Sequence, residues 1–76
     1  MNKLRRQALA AIQEKLEELK DELDILRGEE TDYRDYMPEN FQNSERYEKA
    51  DEAVCQLEDA VTHLVDAISN IDAAIE

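Results

Sequence analysis

Residues 47–75 read YEKADEAVCQLEDAVTHLVDAISNIDAAI. Tyr47, Ala50, Val54, Leu57, Val61, Leu64, Ile68, Ile71 and Ile75 follow one another here at steps alternating between 3 and 4 residues. Apolar side chains at that spacing fall on one stripe of an α-helix, the a and d positions of a heptad repeat, and form the seam of a coiled coil. Ala53, Ala60, Ala67 and Ala74 add a further column at position g. The apolar face is therefore broader than a two-stranded seam needs. The alanine methyls would let another helix approach closely, so these four residues are the expected dimer surface.

The first half of the chain repeats the pattern. Leu9, Ile12, Leu16, Leu19, Leu23 and Leu26 occupy a and d, and the same register extends to Glu30, Tyr33 and Met37. Leu4, Ala11 and Ile25 fall at c and Ala8 at g, so this helix also carries apolar residues beside its seam. Gly28 fits either a helix C-terminus or an interior position f. The continuing heptad favours the second, and Pro38 then stops the helix, because the residue before a proline is pushed out of the helical region.

These readings predict an all-α fold, an antiparallel two-helix coiled-coil hairpin that dimerises into a four-helix bundle. Residues 1–76 form one domain, with helix 1 about 2–36, a turn at 37–43 and helix 2 about 44–75. Pro38 to Phe41 has the composition of a short helical turn. Asn43 or Ser44 caps helix 2, with Glu45 and Glu48 favourable in its first turn. A connection this short makes the helices antiparallel neighbours. In that arrangement e positions face e positions. Arg6, Gln13, Lys20, Arg27 and Arg34 of helix 1 then oppose Asp51, Glu58, Val65 and Asp72 of helix 2. Pairing residues whose numbers sum to about 80 sets Leu23 against Leu57 and Ile12 against Ile68.

Composition narrows function. The 76 residues include 9 Lys plus Arg and 20 Asp plus Glu, a formal net charge of −11, with one Gly, one Pro and no Trp. So little turn chemistry does not suit a β protein. High charge with few aromatics is also a signature of disorder, but the 42% apolar content and its strict periodicity point to folded helices. The acidity argues against direct binding to nucleic acid or anionic lipid. No apolar run is long enough to span a membrane. The single Cys55 favours a reducing compartment, so the cytoplasm is the expected location.

No residue pattern points to catalysis, a cofactor or a metal. His63 has Asp59 and Asp66 four residues before and three after it, a trio at helical spacing that reads as a solvated acidic face. Cys55 has acidic neighbours, which disfavour the thiolate. There is no phosphate loop, no nucleophile elbow, and no Ser or Cys within helical reach of His63. The protein is therefore expected not to be an enzyme.

Two features point to contact with other molecules. Tyr33, Tyr36, Phe41 and Tyr47 are the four aromatic residues, and they cluster with Met37 at the hairpin tip. They form either a small satellite core or an anchor for an unidentified protein partner, since Tyr, Met and Arg are favoured in interface hot spots. Residues 50–76 carry seven acids and no Lys or Arg. Such a face either keeps the protein soluble or imitates the charge density of nucleic acid and blocks a nucleic-acid-binding protein.

The run Leu26-Arg27-Gly28-Glu29-Glu30, followed by Tyr36-Met37-Pro38-Glu39-Asn40-Phe41-Gln42 and Ser44-Glu45-Arg46-Tyr47, resembles small acidic α-hairpin proteins encoded by phages and mobile elements of Gram-positive gut bacteria. That group has no established activity. The resemblance implies a phage-related or mobile-element accessory role and assigns no catalytic or binding residue.

Overall fold

Both long helices owe their starts to side-chain caps. The computed structural model describes residues 1–76, and its first helix, α1, runs from Lys3 to Asp35. The Asn2 side chain accepts a hydrogen bond from the Arg5 amide at 2.7 Å, satisfying one of the unpaired donors of the first turn. The second helix, α2, spans Glu45–Ile75. Here the Ser44 hydroxyl accepts from the Tyr47 amide at 3.3 Å and donates to the Phe41 carbonyl. One hydroxyl thus ties α2 to the turn before it.

Gly28 lies inside α1 without interrupting it. Its φ is not positive, and a Cβ added there would meet nothing within 4 Å. An alanine at this position keeps the helix and reduces the freedom of the unfolded chain. Gly28→Ala is therefore expected to stabilise the protein by about 1 kcal/mol and to raise its Tm by roughly 4–8 °C. Thermal melts followed by circular dichroism read this directly.

The helix ends where the chain meets Pro38. The Tyr36 amide still reaches the Asp32 carbonyl at 2.9 Å, and the Met37 amide reaches the Arg34 carbonyl at 3.3 Å. Glu39–Phe41 then forms a single 3-10 turn, closed by a 2.9 Å bond from the Phe41 amide to the Pro38 carbonyl. The chain reverses, and α2 packs along α1 as a rod of 59 × 14 × 13 Å.

Polar contacts fix the register. Arg34 Nη1 donates to Asp51 Oδ1 at 2.8 Å. Gln13 Nε2 donates to the Ile68 carbonyl at 3.3 Å and to Asp72 Oδ1 at 3.4 Å. The numbers of the side-chain pairs, Arg34 with Asp51 and Gln13 with Asp72, add to 85 in both cases. That is the offset between e positions when opposed a and d residues add to 80, so e faces e along this side of the hairpin.

The expected charge ladder on that side is mostly absent. Lys20 pairs with Asp21 at 3.1 Å on its own helix, and it lines a surface groove with the apolar Val65 of α2. Arg27 turns to Asp24 at 3.0 Å, one helical turn away, and also to the Thr31 hydroxyl. A nearby carboxylate on the same helix restricts these side chains less than a reach across the hairpin. Arg34 with Asp51 is the one ion pair between the helices.

The core is small and lies at the tip end. Met37, Ala50 and Val54 are buried, at 8%, 3% and 1% exposure. No residue of α1 is buried. The seam of α2 behaves largely as its spacing implies, with Leu57, Val61, Leu64, Ile68 and Ile71 half-buried. The seam of α1 does not. Leu9, Leu16 and Leu23 at a are half-buried, as are Gln13, Lys20, Arg27 and Arg34 at e. The d residues Ile12, Leu19, Leu26 and Tyr33 remain 48%, 55%, 55% and 48% exposed. Helix α1 is therefore turned so that a and e, in place of a and d, meet α2. This is a rotation of about 50° at 100° per residue. The e-column contacts of Gln13 and Arg34 hold that side in, and the alkyl stems of the basic residues supply apolar cover there.

Candidate interaction surfaces

Since e faces e on one long side, the opposite side carries d and g of α1 beside g of α2. The tip confirms this placement. Tyr33 of α1 lines one groove with Arg46, Lys49 and Ala50 of α2, and Tyr33 and Tyr36 line a second with Met37, Pro38, Phe41 and Arg46. Ile12, Leu19, Leu26 and Tyr33 thus form an apolar ridge along this side. Ala53, Ala60 and Ala67 of α2 are half-buried beside it, and Ala74 at the open end is exposed. Leu4 and Ile25, at 78% and 65% exposure, continue the apolar surface further round α1.

The exposed ridge was missed in the spacing, which assigned those residues to the interior of the hairpin. One sequence signal bears on it. Apolar residues of α1 occupy c, g, d and a, an arc of about 160°, wider than the ~100° stripe that a helix with one neighbour needs.

The aromatic residues do meet at the tip, but they do not close into a core. Met37 is buried and Tyr47 half-buried. Tyr36 is 84% exposed and Phe41 52%. The groove between Tyr33, Tyr36 and Phe41 has Met37 as its floor and Arg46 at its rim. Arg34, nearby, is held between Asp35 at 3.0 Å and Asp51 at 2.8 Å. The hydrogen bonds to Asp35 first, and then to Asp51, raise its already high pKa further. A raised pKa on a cation contributes stability below the unfolded value and loses it as pH rises through the folded one. Arg34 therefore stays charged throughout the working pH range.

Apart from Asp51, which pairs with Arg34, the acids of α2 lie on its outer positions. Glu52, Glu58, Asp59, Asp66 and Asp72 are all exposed, as is His63. No group of three or more His, Cys, Asp or Glu side chains is placed to hold a metal ion. Cys55 is a free, exposed thiol. No helix is long and apolar enough to cross a membrane. The chain matches no protein-family model, no curated protein and no solved structure.

Proposed function

We propose that this chain is a non-enzymatic helical hairpin that works by protein–protein contact in the cytoplasm, and that it first pairs with itself into a four-helix bundle. One observation carries the reading: the apolar ridge Ile12, Leu19, Leu26 and Tyr33 is half exposed along α1. A contiguous apolar strip on a small protein is the usual mark of an interaction face. With so few residues buried, the hairpin also has less core than small domains ordinarily need, and oligomerisation supplies the remainder. The alanine column Ala53, Ala60, Ala67 and Ala74 borders the same face. Sedimentation equilibrium at micromolar concentration should give twice the 8.8 kDa chain mass. A monomer would remove the reading.

The aromatic groove at the tip remains free for an unidentified partner protein, which suits an accessory protein of a phage or mobile element. The second reading, an acidic inhibitor that imitates nucleic acid, draws on the exposed acids of α2 and the absence of Lys and Arg from residues 50–76. The two readings separate on variants. Tyr36→Ala and Phe41→Ala should abolish capture of a partner recovered from host extract, while Asp59→Asn and Asp66→Asn leave it intact. Mimicry requires the reverse, together with steep weakening by salt. Because Tyr36 is largely exposed, its alanine variant should keep stability within about 0.5 kcal/mol of the parent, so lost capture would report contact and not unfolding.

A further inference from the structure

We infer that two copies pair through α1 in antiparallel sense, with Leu19 on the two-fold axis and Lys15 of each copy against Glu22 of the other. This rests on the self-pairing reading above and gives it a geometry.

The aliphatic part of the ridge, Ile12, Leu19 and Leu26, is centred on Leu19. A two-fold interface is self-complementary: if residue i touches j, then j touches i. Two antiparallel α1 helices whose numbers add to 38 place Ile12 on Leu26, Leu26 on Ile12, and Leu19 on Leu19. Those three are the half-exposed aliphatic residues of the d column. The next layer sets Arg5 against the exposed Tyr33 ring, a cation over an aromatic face.

The column beside the ridge has matching charges. Position g of α1 reads Ala8, Lys15, Glu22, Glu29. An antiparallel two-fold brings g onto g, so the Lys15–Glu22 pair forms twice. Within one hairpin neither residue takes part in an ion pair. Charge along the whole helix favours the same sense. Residues 1–15 hold four bases and one acid, whereas residues 17–35 hold three bases and nine acids. Antiparallel pairing sets the basic end of each copy against the acidic end of the other. Pairing with the tips together would place acid on acid at one end and base on base at the other.

The same axis lays α2 over α2. Ala60 then comes close to its own copy, with Ala53 near Ala67, while the acids at e and f stay outside. Small side chains at that crossing let the two backbones approach. The aromatic tips fall at opposite ends of the bundle, free for other contacts.

The test uses the full chain with Cys55→Ser, so that an introduced thiol is the only one. Under mild oxidation Leu19→Cys should give almost complete disulfide-linked dimer, since two residues on the axis come within disulfide reach. Tyr33→Cys should remain uncrosslinked. In a second arm, Lys15→Glu should weaken the dimer about tenfold through two like-charge contacts. Adding Glu22→Lys should restore it to within about threefold. A dimer that crosslinks at Tyr33→Cys, whether or not it also crosslinks at Leu19→Cys, would overturn the antiparallel geometry while leaving self-pairing intact, because pairing with the tips together sets every d residue against its own copy. So would a double variant as weak as the single one. A parent chain that sediments as a monomer would instead remove self-pairing itself.

Discussion

Val54→Asp is expected to remove most of the protein's stability at 25 °C. Val54 is the most buried residue in the protein, at 1% exposure, and it sits one turn from Ala50 on α2, which is 3% exposed. A carboxylate there would lose water and gain no partner, which costs on the order of 3–5 kcal/mol for an uncompensated buried charge. The whole folding free energy of a chain this size is roughly 4–11 kcal/mol at 0.05–0.15 kcal/mol per residue. The substitution therefore removes much or all of it. Val54→Ala should cost about 1–3 kcal/mol by loss of methyl groups and the space they leave. Val65→Asp on the same helix, at a site 47% exposed, should shift stability by no more than about 0.5 kcal/mol. Far-UV circular dichroism and urea titration of the three variants would rank them. A Val54→Asp protein that melts with the parent would falsify the placement of the core.

The hairpin was legible because two kinds of signal agree. Alternating steps of 3 and 4 residues define a helical face, and the Pro38 to Ser44 segment breaks it where the chain must turn. Ser44 caps α2 as its residue type implies, and Gly28 sits within α1 because a glycine inside a helix costs only about 1 kcal/mol against a long run of good helix formers. The opposition of e with e followed from the antiparallel sense.

The rotation of α1 was not legible, for a physical reason. Spacing shows which columns are apolar, but it does not show which adjacent pair of columns meets the neighbour when three or four are available. On α2 the choice is settled by Ala50 and Val54, small enough for close approach and therefore buried. On α1, Lys20, Arg27 and Arg34 look like a solvated rim by residue type, yet all three are half-buried, as long basic side chains are when their apolar stems are covered. The charge pattern misled in the same way. Counting opposite signs across e predicts several bridges, but side chains choose the carboxylate that needs least ordering, as Lys20 does with Asp21 and Arg27 with Asp24. Each such exposed pair is worth only about 0.2–1 kcal/mol, so orientation rests on the seam and the short turn more than on charge.

Replacing the ridge with glutamine separates the contact that α1 makes with α2 from the one proposed with a second copy. Ile12→Gln/Leu19→Gln/Leu26→Gln should turn a micromolar dimer into a monomer with its helices intact. Gln is nearly as good a helix former as Leu, so helix propensity changes little. In the single hairpin these three side chains are already about half exposed, so the isolated fold loses at most about 1 kcal/mol at each, part of which the Gln stems retain. In the pair, covering the exposed half of each stabilises by about 1 kcal/mol, or ~6 kcal/mol over the six side chains of two copies. Losing that weakens the dimer by roughly four orders of magnitude. The Tm of the parent should rise with protein concentration, as it does whenever folding and association are linked, and that of the triple variant should not. Leu16→Gln/Leu23→Gln makes the control. Those residues face α2 half-buried, so their loss should melt the hairpin itself. If the triple variant still sediments as a dimer, the ridge is not the pairing face. If both sets of substitutions unfold the protein alike, α1 presents a single buried seam in solution, without the two faces that its rotation creates.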